Sequence, residues 1–142
     1  MLDLKVTDQA LCDYYQYKLS QNGDGHLVLK LNEELDTYET AQICFDEPHE
    51  WNDFVSHLSE KRCSVIFKHC KFVNDAGQNR SKLLAITWIP HSANIREKMV
   101  MAASMKPFRL KFEGVMKVVE ASAKNDIYFD ELQDICKFKF KY

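Results

Sequence analysis

The chain has 142 residues, 46% hydrophobic and 28% charged, the size and composition of one ordinary globular domain with enough apolar material for a core. Its net charge of −2 supplies no global field to attract a nucleic acid, and no apolar run reaches the roughly 18 residues that a membrane helix needs. The five cysteines are scattered, with no C-x-x-C and no zinc-finger spacing, which excludes a metal framework of that kind. With no secretory signal at the start, they are expected to be reduced thiols of a cytoplasmic protein. The pair His69–Cys70 reads as strand packing.

In chain order, Met1 to Val6 form a short extended lead. Thr7 is placed to cap a helix with Asp8 in its first turn. Leu11, Tyr14, Tyr15 and Lys18 or Leu19 carry helical spacing to about Ser20. Gln21 to Gly25 is a turn cluster. His26 to Leu31 sets Leu27, Leu29 and Leu31 against Val28 and Lys30, the alternation of a strand. A turn at Asn32 to Glu34 leads to a second strand over Leu35 to Gln42. Asp46-Glu47-Pro48 is suited to a helix start, and Trp51, Phe54, Val55 and Leu58 give the clearest amphipathic stripe of the chain, read as core. Cys63 to Val73 and Arg80 to Ile89 read as an antiparallel pair joined by the hairpin turn Asn74 to Gly77.

Pro90 stops the second of these strands, and Ser92 or Asn94 is available to cap the helix that follows. Ile95, Met99 and Ala102 then form an apolar stripe at i, i+4, i+7, flanked by Arg96 and Lys98. A helix with that pattern suits docking into a groove on another protein. Met101 and Met105 fall near Lys98 on the helical wheel, where contact surface and core both stay open. Pro107 lies inside the pattern and predicts a kink or break near Ala103 to Lys106. A strand is expected over Val115 to Ala121, a loop to Asp126, and a last helix from Tyr128 to about Phe138 with Phe129, Leu132, Ile135 and Cys136 inward. The order α β β α β β α β α predicts an α/β (α+β) fold, with one mixed sheet of five or six strands and helices on both faces.

The stretch Arg80-Ser81-Lys82, an apolar run, Trp88-x-Pro90, then Ile95-Arg96-x-Lys98-Met99-Val100-x-Ala102-x-Ser104 closely resembles the actin-depolymerising factor/cofilin family. The likeness is densest there and extends along nearly the whole chain. It implies a single ADF-homology domain over 1–142 that binds actin monomers and filaments, promotes depolymerisation, severs, and works as a monomer in the cytoplasmic actin cytoskeleton. It implies a monomer site at Arg96, Lys98 and Met99, continued by Met105 and Lys106. At Met105 the family's pattern is broken, and Lys106 carries the charge one residue later, about 100° around the helix. It implies a filament site at Arg80, Lys82 and Asp134, with Lys137 nearby. Ile135 and Phe138 stand where the family has cations, so severing is expected to be weak. Phosphoinositide headgroups are a further implied partner of the same cations. The family's N-terminal phosphoserine has no counterpart, because the first hydroxyl is Thr7.

No P-loop, dinucleotide fingerprint, H-E-x-x-H or G-x-S-x-G is present, so no cofactor and no enzymatic activity are expected. Two other readings remain: a divergent scaffold or branch-regulating relative with weak actin affinity and, carrying least weight, a thiol enzyme.

Overall fold

The computed structural model of the protein describes residues 5–20, 25–45 and 51–137. Residues 21–24 of the turn expected over Gln21 to Gly25, the helix start at Asp46 to Pro48, and Phe138 with the tail lie outside the described residues. Six strands form one sheet in the order β1-β3-β2-β4-β5-β6. They are β1 (Lys5–Val6), β2 (His26–Leu31), β3 (Thr37–Cys44), β4 (Ser64–Val73), β5 (Asn79–Trp88) and β6 (Lys117–Ala121). The pairs β1–β3 and β5–β6 are parallel and the others antiparallel, so the sheet is mixed, as the element order predicts.

Helices α1 (Asp8–Leu19) and α3 (Ile95–Lys111) cover one face, and α2 (Trp51–Ser56) and α4 (Phe129–Lys137) the other. The central strands are therefore apolar on both sides. Leu27 and Leu29 enter the first core with Val65, Phe67, Leu83 and Ala85. Val28, Ile66, Leu84 and Ile86 enter the second, beneath Trp51, Leu132 and Cys136. Between Val28 and Leu29 the register against β3 shifts, which leaves Ala41 without a partner and bends the strand as a bulge does.

Three details depart from the sequence expectation. In α1 the buried residues are Ala10, Asp13, Tyr14 and Tyr17, while Tyr15 and Leu19 face solvent. The reason is aromatic packing with satisfied hydroxyls. The Tyr14 ring meets Phe67 and Phe112 at 4.8 Å, and its hydroxyl donates to the Glu113 carbonyl. The Tyr17 hydroxyl donates to Gly25 O at 3.1 Å and accepts from His69 N at 2.9 Å. In α4, Leu132 and Cys136 are buried, but Phe129 is 50% exposed and Ile135 only half-buried.

The third departure is α3, which runs unbroken for 17 residues through Pro107. Pro107 has no N–H for the carbonyl of Ala103, but Ala103 is exposed, so water is available to that oxygen. Beyond the proline, Phe108 and Phe112 hold the helix down by stacking on each other at 4.3 Å and on Phe67 at 5.8 and 5.2 Å. Of the kink or break expected near Ala103 to Lys106, the break does not occur, because ring packing carries the helix past the proline.

The cysteines also differ from expectation. Cys70 of β4 and Cys136 of α4 are joined as a disulfide, while Cys12, Cys44 and Cys63 are free. The sheet brings the two buried sulfurs together across 66 residues of chain, a pairing that spacing alone does not reveal. His69 is packed in the strand as expected. Its Nε2–H donates to Tyr17 O at 2.9 Å, and burial holds its pKa below the ordinary value.

Pro107→Ala is expected to stabilise the protein by about 1–3 kcal/mol, since it restores the missing donor and removes the ring clash inside a helix already anchored on both sides of it. Urea unfolding checks this, and a lower midpoint would show that the proline ring itself is needed in the packing.

Candidate protein-binding site on the long helix

Helix α3 begins at Asn94, whose side-chain oxygen accepts Arg96 N at 2.8 Å. Of the two candidate caps, Asn94 is the one used. Along α3 the buried residues are Glu97, Met101, Ser104 and Phe108. They fall at successive steps of three or four, so they form one stripe, and Phe112 continues it just past the helix. The opposite stripe is exposed. Ile95 and Met99 are 74% and 67% exposed, Ala102 and Lys106 are also exposed, and Leu110 is 77% exposed beside exposed Arg109. The docking stripe expected from Ile95, Met99 and Ala102 therefore faces solvent. It is also longer, about 25 Å at 1.5 Å per residue.

Which stripe faces in is fixed by polar contacts as well as apolar ones. The Glu97 carboxylate is buried, accepts Arg62 Nε at 2.9 Å, and accepts the backbone N–H of Cys63 with its other oxygen. Arg62 also donates to Leu31 O at 3.2 Å. The first turn of α3 is thereby tied to the end of β2 and the start of β4. About two turns further on, Ser104 Oγ lies 2.6 Å from the Tyr38 hydroxyl and donates to Met101 O at 3.0 Å. Burial, with Glu97 beside it, pushes the Cys63 thiol up to about 12. Burial likewise pushes Tyr38 up to about 12, partly offset by its bond to Ser104.

The structure brings the residues expected at the monomer site onto one helix but not onto one face. Arg96, Met99 and Lys106 are exposed. Lys98 is half-buried, and its Nζ donates to His91 O at 2.6 Å. Met105 is half-buried against the first core, and Met101 is fully buried in it, so of the two methionines left open by the sequence, Met101 is core and Met105 lies at its margin. Sequence reasoning missed Arg109 and Leu110. The signal was present, because the steps 95, 99, 102, 106 lead on to 109 and 110, but the expected break at Pro107 cut the pattern short.

The residues expected at the filament site occupy the opposite face of the sheet. Arg80 is exposed and donates to Gln78 Oε1 at 2.9 Å. Lys82 is half-buried, with Nζ 2.7 Å from Cys136 O and 5.0 Å from the centre of the Phe72 ring. Asp134 is exposed on α4. Lys137 closes α4, and its side chain lies outside the described residues.

A six-stranded mixed sheet that holds one long helix by its buried stripe and presents an apolar, cation-edged stripe outward defines a protein-binding module. The family model described as cofilin/tropomyosin-type actin-binding protein matches residues 3–137, and the chain belongs to the cofilin/actin-depolymerising factor family. Among relatives, a cofilin of Cryptococcus neoformans var. neoformans serotype D is 28% identical over 120 residues, covering 84% of this chain and 77% of the relative. Actin-depolymerizing factor 1 of Oryza sativa subsp. japonica is 25% identical over 130 residues, covering 88% and 92%. With actin-depolymerizing factor 3 of Zea mays, 28% identical over 89 residues, the match spans 63% of this chain and 64% of the relative. In fold, the chain is similar to the cofilin of Streptomyces griseoflavus, with a TM-score of 0.79, 21% identity and coverage of 93% and 96%. No helix among the described residues is long and apolar enough to cross a membrane.

Glu97→Ala is expected to cost about 3 kcal/mol, because Arg62 and the Cys63 N–H lose their buried partner; denaturant unfolding measures it. Stability is also expected to fall as pH rises. The unfolded chain releases the Cys63 proton near 9.0 and the Tyr38 proton near 10.0, while the folded chain keeps both to about 12. Their contribution is complete below pH 9.0 and is lost progressively up to about 12. Unfolding midpoints taken from pH 8 upward test this, and a flat profile would contradict it.

Proposed function

We propose that this chain binds actin monomers and filaments and promotes filament depolymerisation, with weak severing, as a single ADF-homology domain in the cytoplasm. One observation carries the reading: the helix matched to the family exposes Ile95 and Met99 at 74% and 67% beside the exposed Arg96. Exposed apolar side chains of this size, in line along a helix, supply burial on docking, while the cations orient the encounter and raise its rate. In this reading Arg96, Lys98, Met99 and Lys106 contact an actin monomer, with Met105 at the margin. Arg80, Lys82, Asp134 and Lys137 belong to a second contact, made only on a filament. Phosphoinositide headgroups would compete for these cations.

Weak severing is supported by two features of the second contact. Lys82 is engaged by the Cys136 carbonyl. Ile135 is half-buried against the second core, so it replaces a family cation with a side chain turned toward the protein. The same two features favour the alternative of a scaffold or branch-regulating relative with weak affinity for actin.

Arg96→Ala with Lys98→Ala is expected to abolish monomer binding while leaving the melting temperature within a few degrees, since exposed Arg96 contributes about 0–1 kcal/mol to folding and half-buried Lys98 adds a single hydrogen bond, to His91 O. Binding of labelled monomers, read beside thermal unfolding, decides it. A double variant that binds like the wild type would remove α3 as the monomer site. Co-sedimentation with filaments, read in pellet and supernatant, separates depolymerisation from the scaffold alternative, for which neither fraction would change.

A further inference from the structure

The disulfide between Cys70 of β4 and Cys136 of α4 is buried where the last helix meets the sheet. In the cytoplasm proposed above, small thiols keep cysteines reduced, and a disulfide that forms there is usually transient and redox-sensing. The surroundings accommodate both states of the pair. As a thiol, Cys70 has an acceptor in place, Leu132 O at 3.6 Å from its Sγ. As a thiolate it has a donor, Gln133 Nε2 at 3.8 Å, which also donates to Lys71 O at 2.6 Å. Lys82 Nζ, bonded to Cys136 O at 2.7 Å, brings an ammonium beside the second cysteine, and such a neighbour favours the thiolate that exchange requires. The two sulfurs are unequally held. Cys70 sits within the β4–β5 ladder, opposite Lys82. Cys136 sits in the last turn of α4, and terminal turns open locally at little cost. The rest of α4 has other anchors, because Leu132 is buried in the second core and Phe129 N–H donates to Asn52 Oδ1 at 2.7 Å.

We propose that Cys70 and Cys136 are a reversible thiol–disulfide switch that locks the last turn of α4 to β4, and that the lock tunes how tightly the chain holds a filament. The tuning rests on the filament reading above; the switch itself does not. Its co-reactant is a small disulfide of the glutathione class. With the last turn of α4 open, the Cys136 thiolate attacks one sulfur of that disulfide, a mixed disulfide forms, and the first small thiolate leaves. The Cys70 thiolate then attacks the Cys136 sulfur, closes the protein disulfide and expels the second. The two protons given up by the cysteines end on the two released thiols, so the pair loses two electrons and the small disulfide gains them. Reduction runs the same steps backwards. The lever is α4, which carries Asp134 and Lys137, while β5 carries Arg80 and Lys82. The disulfide fixes these two groups relative to each other, and a surface ordered before docking loses less freedom on binding. The thiol form therefore binds filaments more weakly. Helix α3 packs on the other face of the sheet, so monomer binding does not change.

The test equilibrates the full chain in a series of reduced and oxidised glutathione, approached from both ends, and maps thiols by maleimide tagging and peptide mass spectrometry. Cys70 should be joined to Cys136 at the oxidised end and both should be tagged at the reduced end. A pair still joined in reduced glutathione is a static staple, a pair still tagged in oxidised glutathione is only packing, and either overturns the switch. Amide exchange over Gln133 to Lys137 should quicken about tenfold on reduction and stay constant along α3; no change at α4 overturns the lock. The oxidised chain should co-sediment with filaments about fivefold more tightly than the reduced one, and saturating filaments should shift the glutathione ratio at half-conversion toward the disulfide by the same factor. Labelled monomers should bind both states alike. Cys70→Ala and Cys136→Ala should behave as the reduced chain in every buffer, and a variant that still responds places the effect at another cysteine and overturns the proposal. Equal filament binding by the two wild-type states overturns the tuning while leaving the filament reading intact. A chain that pellets with filaments in neither state overturns that reading, and the thiol map and amide exchange still decide the switch.

Discussion

The orientation of α3 depends on a carboxylate buried where a helix meets two strands. Glu97 satisfies the Cys63 N–H and Arg62 together, and Arg62 in turn reaches Leu31 O. A buried charge without those partners would be costly, so the helix has one rotation in which its first turn closes properly. That rotation sends Met101, Ser104 and Phe108 to the sheet and leaves Ile95, Met99 and Leu110 in water. The outward stripe thus follows from the inward one. At the other end of the helix the stacked rings of Phe67, Phe108 and Phe112 hold the same rotation past Pro107.

The sheet separates two surfaces. On one side α1 and α3 pack over a core of leucines and rings; on the other, α2 and α4 pack over a core built round Trp51, Trp88 and Leu132. Because β2, β4 and β5 are apolar on both faces, neither side can shift without exposing the other. The exposed stripe of α3 and the β4–β5 hairpin are therefore held apart by a rigid spacer.

The cysteines show how tertiary contact alters a residue's meaning. Cys63 is buried beside Glu97, and its thiol stays protonated far above the ordinary range. Cys12 is exposed on α1. Cys70 and Cys136 meet between β4 and α4 and tie that helix to the sheet. All were equivalent in the sequence, where only spacing could be read.

The sequence by itself determined the elements and their order, because the period of apolar residues and the turn residues that punctuate them are local properties. The hairpin at Asn74 to Gly77, the strand ending before Pro90 and the apolar stripe of Ile95, Met99 and Ala102 on α3 were all legible for that reason. The family likeness was legible too, since it lies in contiguous residues from Arg80 to Ser104. Tertiary structure alone decided which of several apolar residues face inward when a helix offers more than one stripe. Tyr14 faces inward as its spacing predicts, but Tyr17 takes the place of Tyr15 and Leu19, because its hydroxyl reaches Gly25 O and the His69 N–H on other parts of the chain. Phe129 was left outside α4's core, α3 crossed Pro107 unbroken, and Cys70 found Cys136. Each outcome turns on residues brought together from distant parts of the chain, whose mutual packing no local pattern records.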